Sequence, residues 1–391
     1  MVVVALCLKP IHRARAENHL DYKFEDYSED NQRIKVENHS ALLQADLLSW
    51  LAVKGSLAYD AISGQTPTGN TPNSGQPLLA ELRDIRRAGD FEGDIKLGRS
   101  TFSPGISYSK ESDYKSIGIS GTYTLDFNQK NTTLKLGFSH DFDQVLYTSH
   151  MLGNFSQFPG RIDHKDASDL LVGITQLLDP KTVLTANASF GSEKGQLTDT
   201  YRGVIFQSQS ATLFNEIRPG RRDKQAAFVS LTRFISPLNG SMEASYRFYH
   251  DSFGIYAHTA ILAWYQKIGK KIVASPSFRF YTQSAASFYS WSQSANVENP
   301  QFAASGLSMD FFNSFLGYNF DRLPPEFYSA DYRLSQFNSF SYGLGISWQI
   351  LKEATFDASY ERYQMKGIDG VTPQFVYPSA NIFTVGLRIF F

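Results

Sequence analysis

The sequence predicts an all-β fold: a transmembrane antiparallel β-barrel of about sixteen strands with short periplasmic turns and long extracellular loops. Three observations carry that expectation. Apolar and aromatic residues alternate with small, hydroxylic or charged ones along one segment after another, the period of a strand whose two faces meet different surroundings. The connections between those segments alternate between tight turns and longer loops. The stretch NIFTVGLRIFF at 381–391 stops inside an alternating segment, as a strand does when its next partner joins by hydrogen bonds and not through a turn.

Composition agrees. Tyr (21) and Phe (31) are abundant and Cys occurs once, a balance that suits pleated, half-buried surfaces. With 37 basic and 38 acidic residues the formal net charge is -1, so nothing electrostatic points to a nucleic-acid partner. Beyond residue 16 there is no run of the roughly 18 apolar residues that a membrane-spanning helix needs. The start, MVVVALCLKPIHRARA, offers an apolar run from Val2 to Leu8 and then Ala14-Arg15-Ala16, a small-x-small pattern of the kind that signal peptidase cuts. Residues 1–16 therefore read as a signal peptide lacking its basic leading part, and 17–391 as a single outer-membrane β-barrel. Cys7 follows the bulky Leu6, which argues against a lipoprotein. It leaves with the signal, and the remaining chain has no thiol for disulfides or metal sites.

The elements follow in order. HLDYKFEDY at 19–27 reads as the first strand. Leu51, Val53, Leu57 and Tyr59 alternate with Ala52, Lys54, Ser56 and Asp60. Ile117, Ile119, Tyr123, Leu125 and Phe127 alternate with small and hydroxylic residues, and Leu134, Leu136, Phe138 and Phe142 do the same. Phe340 to Ile350 and Phe383 to Phe391 repeat the pattern near the end. Tight turns are expected at 48–50, 98–100, 128–131, 179–181, 237–240, 269–271 and 352–354. Longer connections are expected at 28–33, 64–81, 111–114, 148–165, 194–221, 251–254, 284–333 and 367–379. Such strict alternation trims one rim and elaborates the other, and it puts both chain ends on the trimmed side. A barrel of this width leaves a lumen that wall side chains do not fill.

Parity assigns the faces. Lys54, Glu92, Asp94, Lys96, Lys135, Arg247, Arg279, Asp357, Glu361 and Arg388 are expected to face the lumen. Both signs are present, which predicts an ion-paired, water-filled wall of weak ion selectivity. On the closing strand Phe383, Val385, Leu387, Ile389 and Phe391 are expected to face lipid. In HDFDQVLYTSH, Asp141 and Asp143 share the inward parity and are weak metal candidates, set against simple pairing with neighbouring Lys and Arg. His140 falls on the lipid face, which argues against a catalytic histidine. No enzyme activity and no cofactor is expected.

Two further stretches can be read two ways. Asp60, Ser63, Gly64 and Pro67 in YDAISGQTP are turn formers, which predicts a loop bracing the rim. Arg218, Arg221 and Arg222 in EIRPGRR suit either lipopolysaccharide phosphates or a solvated loop base. Connection 284–333 carries many aromatics, among them Phe288, Tyr289 and Trp291, with helical spacing at Phe311, Phe312, Phe315 and Leu316. It is expected either to constrict the lumen or to dock on another protein.

YDAISGQTP at 59–67, RRAGDFEG at 86–93 and SYSKESDYKS at 107–116 resemble an uncharacterised, porin-like family of Gram-negative outer-membrane β-barrels, a domain-of-unknown-function family. The resemblance implies the fold over nearly the whole chain and the cell outer membrane of a Gram-negative bacterium as its place, and it brings no site residues with it. The expected function is a porin-like channel for passive diffusion of small polar solutes or ions. The alternative is a structural or anchoring barrel of a surface or periplasmic protein complex, with the aromatic outer loops as its interface. Expected partners are outer-membrane lipid and lipopolysaccharide, the barrel assembly machinery and, for the alternative, surface or periplasmic proteins.

Overall fold

The computed structural model describes residues 18–69, 79–149, 151, 153–205, 213–291 and 326–391. In chain order the strands are β1 (His19–Glu29), β2 (Ile34–Leu48), β3 (Leu51–Pro67), β4 (Leu79–Leu97), β5 (Ser100–Lys110) and β6 (Tyr114–Phe127). They continue as β7 (Thr132–Leu146), β8 (Ile162–Asp179), β9 (Thr182–Gly195), β10 (Gly203–Ile205), β11 (Leu213–Asn215) and β12 (Arg221–Ile235). The rest are β13 (Gly240–Asp251), β14 (Tyr256–Ile268), β15 (Ile272–Gln283), β16 (Phe337–Gln349), β17 (Ala354–Gly367) and β18 (Ser379–Phe390).

All but β10 and β11, which make a small sheet of their own, close into one antiparallel barrel of sixteen strands. The seam joins β1 to β18 along its whole length, from His19 opposite Phe390 to Glu29 opposite Ala380. The Phe391 amide adds a bond of 3.0 Å to the Asn18 carbonyl. The stretch NIFTVGLRIFF is thus paired on both sides, with β17 as its other neighbour.

Seven connections are hairpins of two to four residues, and both ends of the barrel sequence lie on that rim. Their chemistry is local. Gly98 and Gly269 have φ of 63° and 61°, and Asn128 and Asn239 have 47° and 49°, the left-handed conformations that tight hairpins require. The other eight connections run from 111–113 up to 284–336.

Leu57, Phe91, Ile106, Ile119, Phe138 and Leu170 are exposed on the outward face, as are Tyr342, Leu344 and Phe383. Trp50 and Trp348 stand exposed at or beside the hairpin turns, and Trp264 lies near the same end of β14. An apolar outer band with aromatics at its edge is the surface a membrane covers. The buried apolar residues cluster elsewhere. One cluster joins Trp291, Tyr332, Val376 and Tyr377 to the strand residues Phe337 and Met365. Another joins Phe253, Ile255, Ala286 and Leu334 to Ala257. Both hold loop residues against the inner face of the wall at the long-loop end.

Two readings of the sequence need adjustment. YDAISGQTP is not a rim loop: β3 runs on through Pro67 and stays paired with β4 to its end. Gly64 explains how. With φ of 125°, its α-carbon lies so close to the next strand that a Cβ would sit 1.7 Å from the Arg33 carbonyl oxygen, so turn-forming composition here serves a bend within a strand. Gly64→Ala should therefore destabilise the barrel by about 1–3 kcal/mol, read as a lower temperature for conversion of the folded to the unfolded band on a gel. An unchanged conversion temperature would contradict the close approach. Within 194–221 the hairpin of β10 and β11 was not anticipated, because three-residue strands are too short to show a period. The helical spacing at 311–316, and the signal peptide at 1–16, lie outside the described residues.

Candidate channel constriction

The inner wall comes first. The register places all ten of the charged residues expected in the lumen on the face opposite the exposed apolar band. Arg388 pairs with Asp21 through two bonds of 2.7 Å across the seam, and Lys96 pairs with Asp46 at 2.7 Å. Among the described residues the other eight close no ion pair within 4.0 Å. Lys54 stands directly across the β3–β4 ladder from Glu92 without reaching it. Other inner-face residues do pair, Arg86 with Asp60 and Lys224 with Glu193, so the wall is ion-paired in places and open in others.

Asp141 and Asp143 do share a face. Asp143 accepts a hydrogen bond from the Tyr114 hydroxyl and lies 3.6 Å from Lys165, the pairing that competes with a metal role. Asp84, Glu111 and Asp113 come closer to a ligand set, with one oxygen of each within 4.8 Å of the others. These carboxylates brace the rim. Asp84 accepts from the Ser112 hydroxyl at 2.9 Å and Asp113 from the Tyr201 hydroxyl at 2.6 Å. Burial, then neighbouring Asp113 and Asp84, pushes Glu111 above the usual carboxylate range.

The long loops meet over the lumen through a buried ionic network. Asp331, almost fully buried, accepts from the Arg218 guanidinium at 2.9 Å and from Arg333 Nε at 2.9 and 3.0 Å. Arg218 also lies 2.6 Å from Glu216. Arg333 reaches on to Asp199. Arg202 ties the network to β3 by donating to the Pro67 carbonyl and the Thr66 hydroxyl. Burial works against the Asp331 carboxylate, yet Arg333, Arg202 and Arg218 outweigh it and hold Asp331 well below the ordinary range. Asp199 is lowered in the same way, against its burial, by Arg333, Arg202 and Arg218. Glu216 goes the other way: burial pushes it up, and Arg218 does not compensate.

Two strand side chains fix this assembly to the wall. Gln283 at the end of β15 donates to the Arg333 and Ser335 carbonyls at 3.0 and 2.8 Å, and its own oxygen accepts from the Tyr281 hydroxyl at 2.7 Å. Asp251 at the end of β13 accepts from the Phe253 and Ile255 amides at 2.9 and 3.1 Å and from Arg222 Nε at 2.9 Å. Of the two readings of EIRPGRR, Arg218 thus belongs to neither. It turns inward, Arg222 is held by Asp251, and Arg221 pairs with Asp223 at 2.8 Å on the outside.

Between this loop assembly and the wall lies a cavity of about 490 Å³, lined by Arg218, Arg222, Arg247, Arg279 and Arg333 together with Asp199, Asp331 and polar or small residues of β13 to β15. Arg247 and Arg279 were expected at the lumen. Their company was not, because it is built by loops distant in sequence. Of the aromatics in 284–333, Trp291 and Tyr328 are buried, and Phe288 and Tyr289 pack on the two clusters, so the described part of this connection turns toward the wall. Its aromatics from Phe302 to Phe320 lie outside the described residues.

Comparison with known proteins follows from this geometry. Residues 70–387 match a family described as "Protein of unknown function (DUF3570)". None of the curated proteins matches the sequence. Among solved structures, a loop-deletion mutant of OmpT, an outer membrane protein of Vibrio cholerae, aligns over 96% of this chain and 98% of its own at 9% identity and a TM-score of 0.46. The CymD monoaromatic hydrocarbon channel aligns over 97% and 89% at 10% identity and a TM-score of 0.44. The siderophore receptor PirA from Pseudomonas aeruginosa aligns over 91% and 57% at 11% identity and a TM-score of 0.42. The chain spans just over half the length of the siderophore receptors it matches.

Proposed function

The chain belongs to the DUF3570 family of unknown function, and from that premise we propose that its barrel is a porin-like channel in the outer membrane of a Gram-negative bacterium, passing small polar solutes or ions by passive diffusion. The wall and its cavity carry this reading. Sixteen strands enclose more space than their side chains fill, and the loops that fold inward leave an arginine-lined cavity where a sealed plug would be packed with apolar side chains.

Orientation follows from the two rims. The hairpin rim carries Trp50 and Trp348 and faces the periplasm. On the outward face toward the other rim, Arg87, Lys110 and Lys115 stand in one row across β4, β5 and β6. Like charges placed directly opposite repel, and the phosphates of lipopolysaccharide would neutralise them. Insertion by the barrel assembly machinery belongs to the same proposal, which assigns the protein no chemistry.

Purified, refolded protein should give discrete conductance steps in a planar bilayer. A correctly folded sample without steps would remove the channel reading. The anchoring alternative draws on Val371 and Phe375, exposed on the 368–378 connection. It would be favoured by a stoichiometric partner that copurifies with a non-conducting barrel.

A further inference from the structure

We propose that the cavity beside β13 to β15 is a binding site for a small oxyanion, a carboxylate or a phosphate, borne by the solute that passes the barrel; the passage, though not the binding, rests on the channel reading. The inference turns on which arginines are already committed. Five arginines and two aspartates line the cavity. Arg218 and Arg333 are taken up by Asp331, Glu216 and Asp199. Arg222 is taken up by Asp251. Arg247 and Arg279 have no carboxylate partner among the described residues. Each lies over a ring, Arg247 Cζ 5.9 Å from the Phe228 ring centre and Arg279 Cζ 5.4 Å from that of Tyr281.

A guanidinium held over a ring face has its charge partly offset by the ring, and its N–H donors stay open to an acceptor. The guanidinium fork matches the two oxygens of a carboxylate or phosphate. The register puts the pair within reach of one ligand. Arg247 is opposite Thr259 on β14, Thr259 is opposite Tyr281 on β15, and Arg279 lies two residues before Tyr281 on the same face. The Thr259 hydroxyl adds a donor between them, and the cavity size lies within the usual range for small-molecule sites.

The opposite wall carries both signs. Around the ring, β14 stands eight strands from β4, whose inner face carries Asp90, Glu92 and Asp94. That face also carries Arg86 and Lys96, and Lys54 and Lys135 act on Glu92, so the pull on an anion comes from the β13–β15 side. Weak selectivity was expected from mixed rows of ion-paired wall residues; at the narrowed mouth a preference for anions replaces it, set by Arg247 and Arg279, which close no ion pair within 4.0 Å among the described residues.

The test uses the full chain and the double variant Arg247→Gln/Arg279→Gln, with heat-modifiable migration as the check on folding. In a potassium chloride gradient the reversal potential of the wild type should show chloride preferred, and the double variant should lose that preference. Independently of conductance, calorimetric titration with inorganic phosphate and, in a second arm, with succinate should show saturable binding that weakens about tenfold or more in the double variant. The stronger arm identifies the oxyanion. Arg247→Lys/Arg279→Lys should keep the chloride preference and lose part of the binding, since the charge survives and the fork does not. Cation preference in the wild type, no saturable binding in either arm, or equal binding in wild type and double variant would overturn the site. A folded barrel that binds but does not conduct would uphold the site and sink the channel.

Discussion

Leu387→Arg should lower the yield of folded barrel in lipid vesicles, while Arg388→Ala beside it should leave a folded, heat-modifiable protein at the wild-type yield. The two neighbours occupy opposite faces of β18. Leu387 is exposed in the outer apolar band toward the hairpin rim, in one cross-strand row with Phe356 and Trp348, where a basic side chain costs less than the about 2 to 4 kcal/mol of the membrane midplane. The seam raises the stakes, because β18 must hold β17 and β1 at once. Arg388 donates to Asp21 on the inner face, and both side chains keep about a quarter of their exposure, 25% and 24%. Removing a partner there leaves Asp21 within reach of water, so the cost is small. Gel mobility before and after heating reads the result. If Arg388→Ala fails to fold and Leu387→Arg succeeds, the two faces have been exchanged.

Asp331→Ala should open the outer mouth without dismantling the barrel. The substitution strips Arg218 and Arg333 of their shared carboxylate in a buried setting, and breaking such a pair costs about 3 to 5 kcal/mol. That energy falls on the loop assembly, since Asp331 makes no strand ladder contact. Protease cleavage within 196–220 and 326–336 should accelerate, single-channel conductance should rise, and the temperature of barrel unfolding should hold. Unchanged cleavage would show that the network does not hold the loops. Acid offers a second route to the same state. Asp331 and Asp199 are held below their ordinary 3.8, so their contribution is complete above that value and disappears as the pH falls through their depressed values. Glu216 is raised above its ordinary 4.5, so it favours the closed arrangement below 4.5 and withdraws that support as the pH rises through its raised value. Protease protection should therefore survive mild acid and be lost only below the usual carboxylate range.

The barrel was legible in the sequence because strand parity is a local property. Leu344, Ile346 and Trp348 alternate with Gly343, Gly345 and Ser347 whatever lies across the lumen, and the membrane enforces the pattern on every strand. The short turns were legible for the same reason. The constriction was not. Arg202 meets Pro67, Arg333 meets Asp199, and Gln283 meets the 333–335 backbone, pairings between residues that no local period relates. Arg247 and Arg279 could be placed on the inner face by counting, but a count says nothing of whether a carboxylate stands nearby. YDAISGQTP misled because Gly64 and Pro67 mean a turn in most strands, whereas here Gly64 accommodates the close passage of Arg33 and Pro67 ends the ladder opposite Leu79.

The seam also sets the order in which this protein can come into being. Every other strand pair in the barrel is joined by a stretch of chain between near neighbours, whereas β1 meets β18 only after all the intervening strands exist. Loop-closure entropy is greatest for that contact, and contacts of such sequence separation form slowly. Until it forms, the nascent sheet carries two bare edges, each able to pair with another chain. The last ring closure is thus the expected slow step of assembly, and shielding those two edges until they find each other is the task any catalyst of it would face.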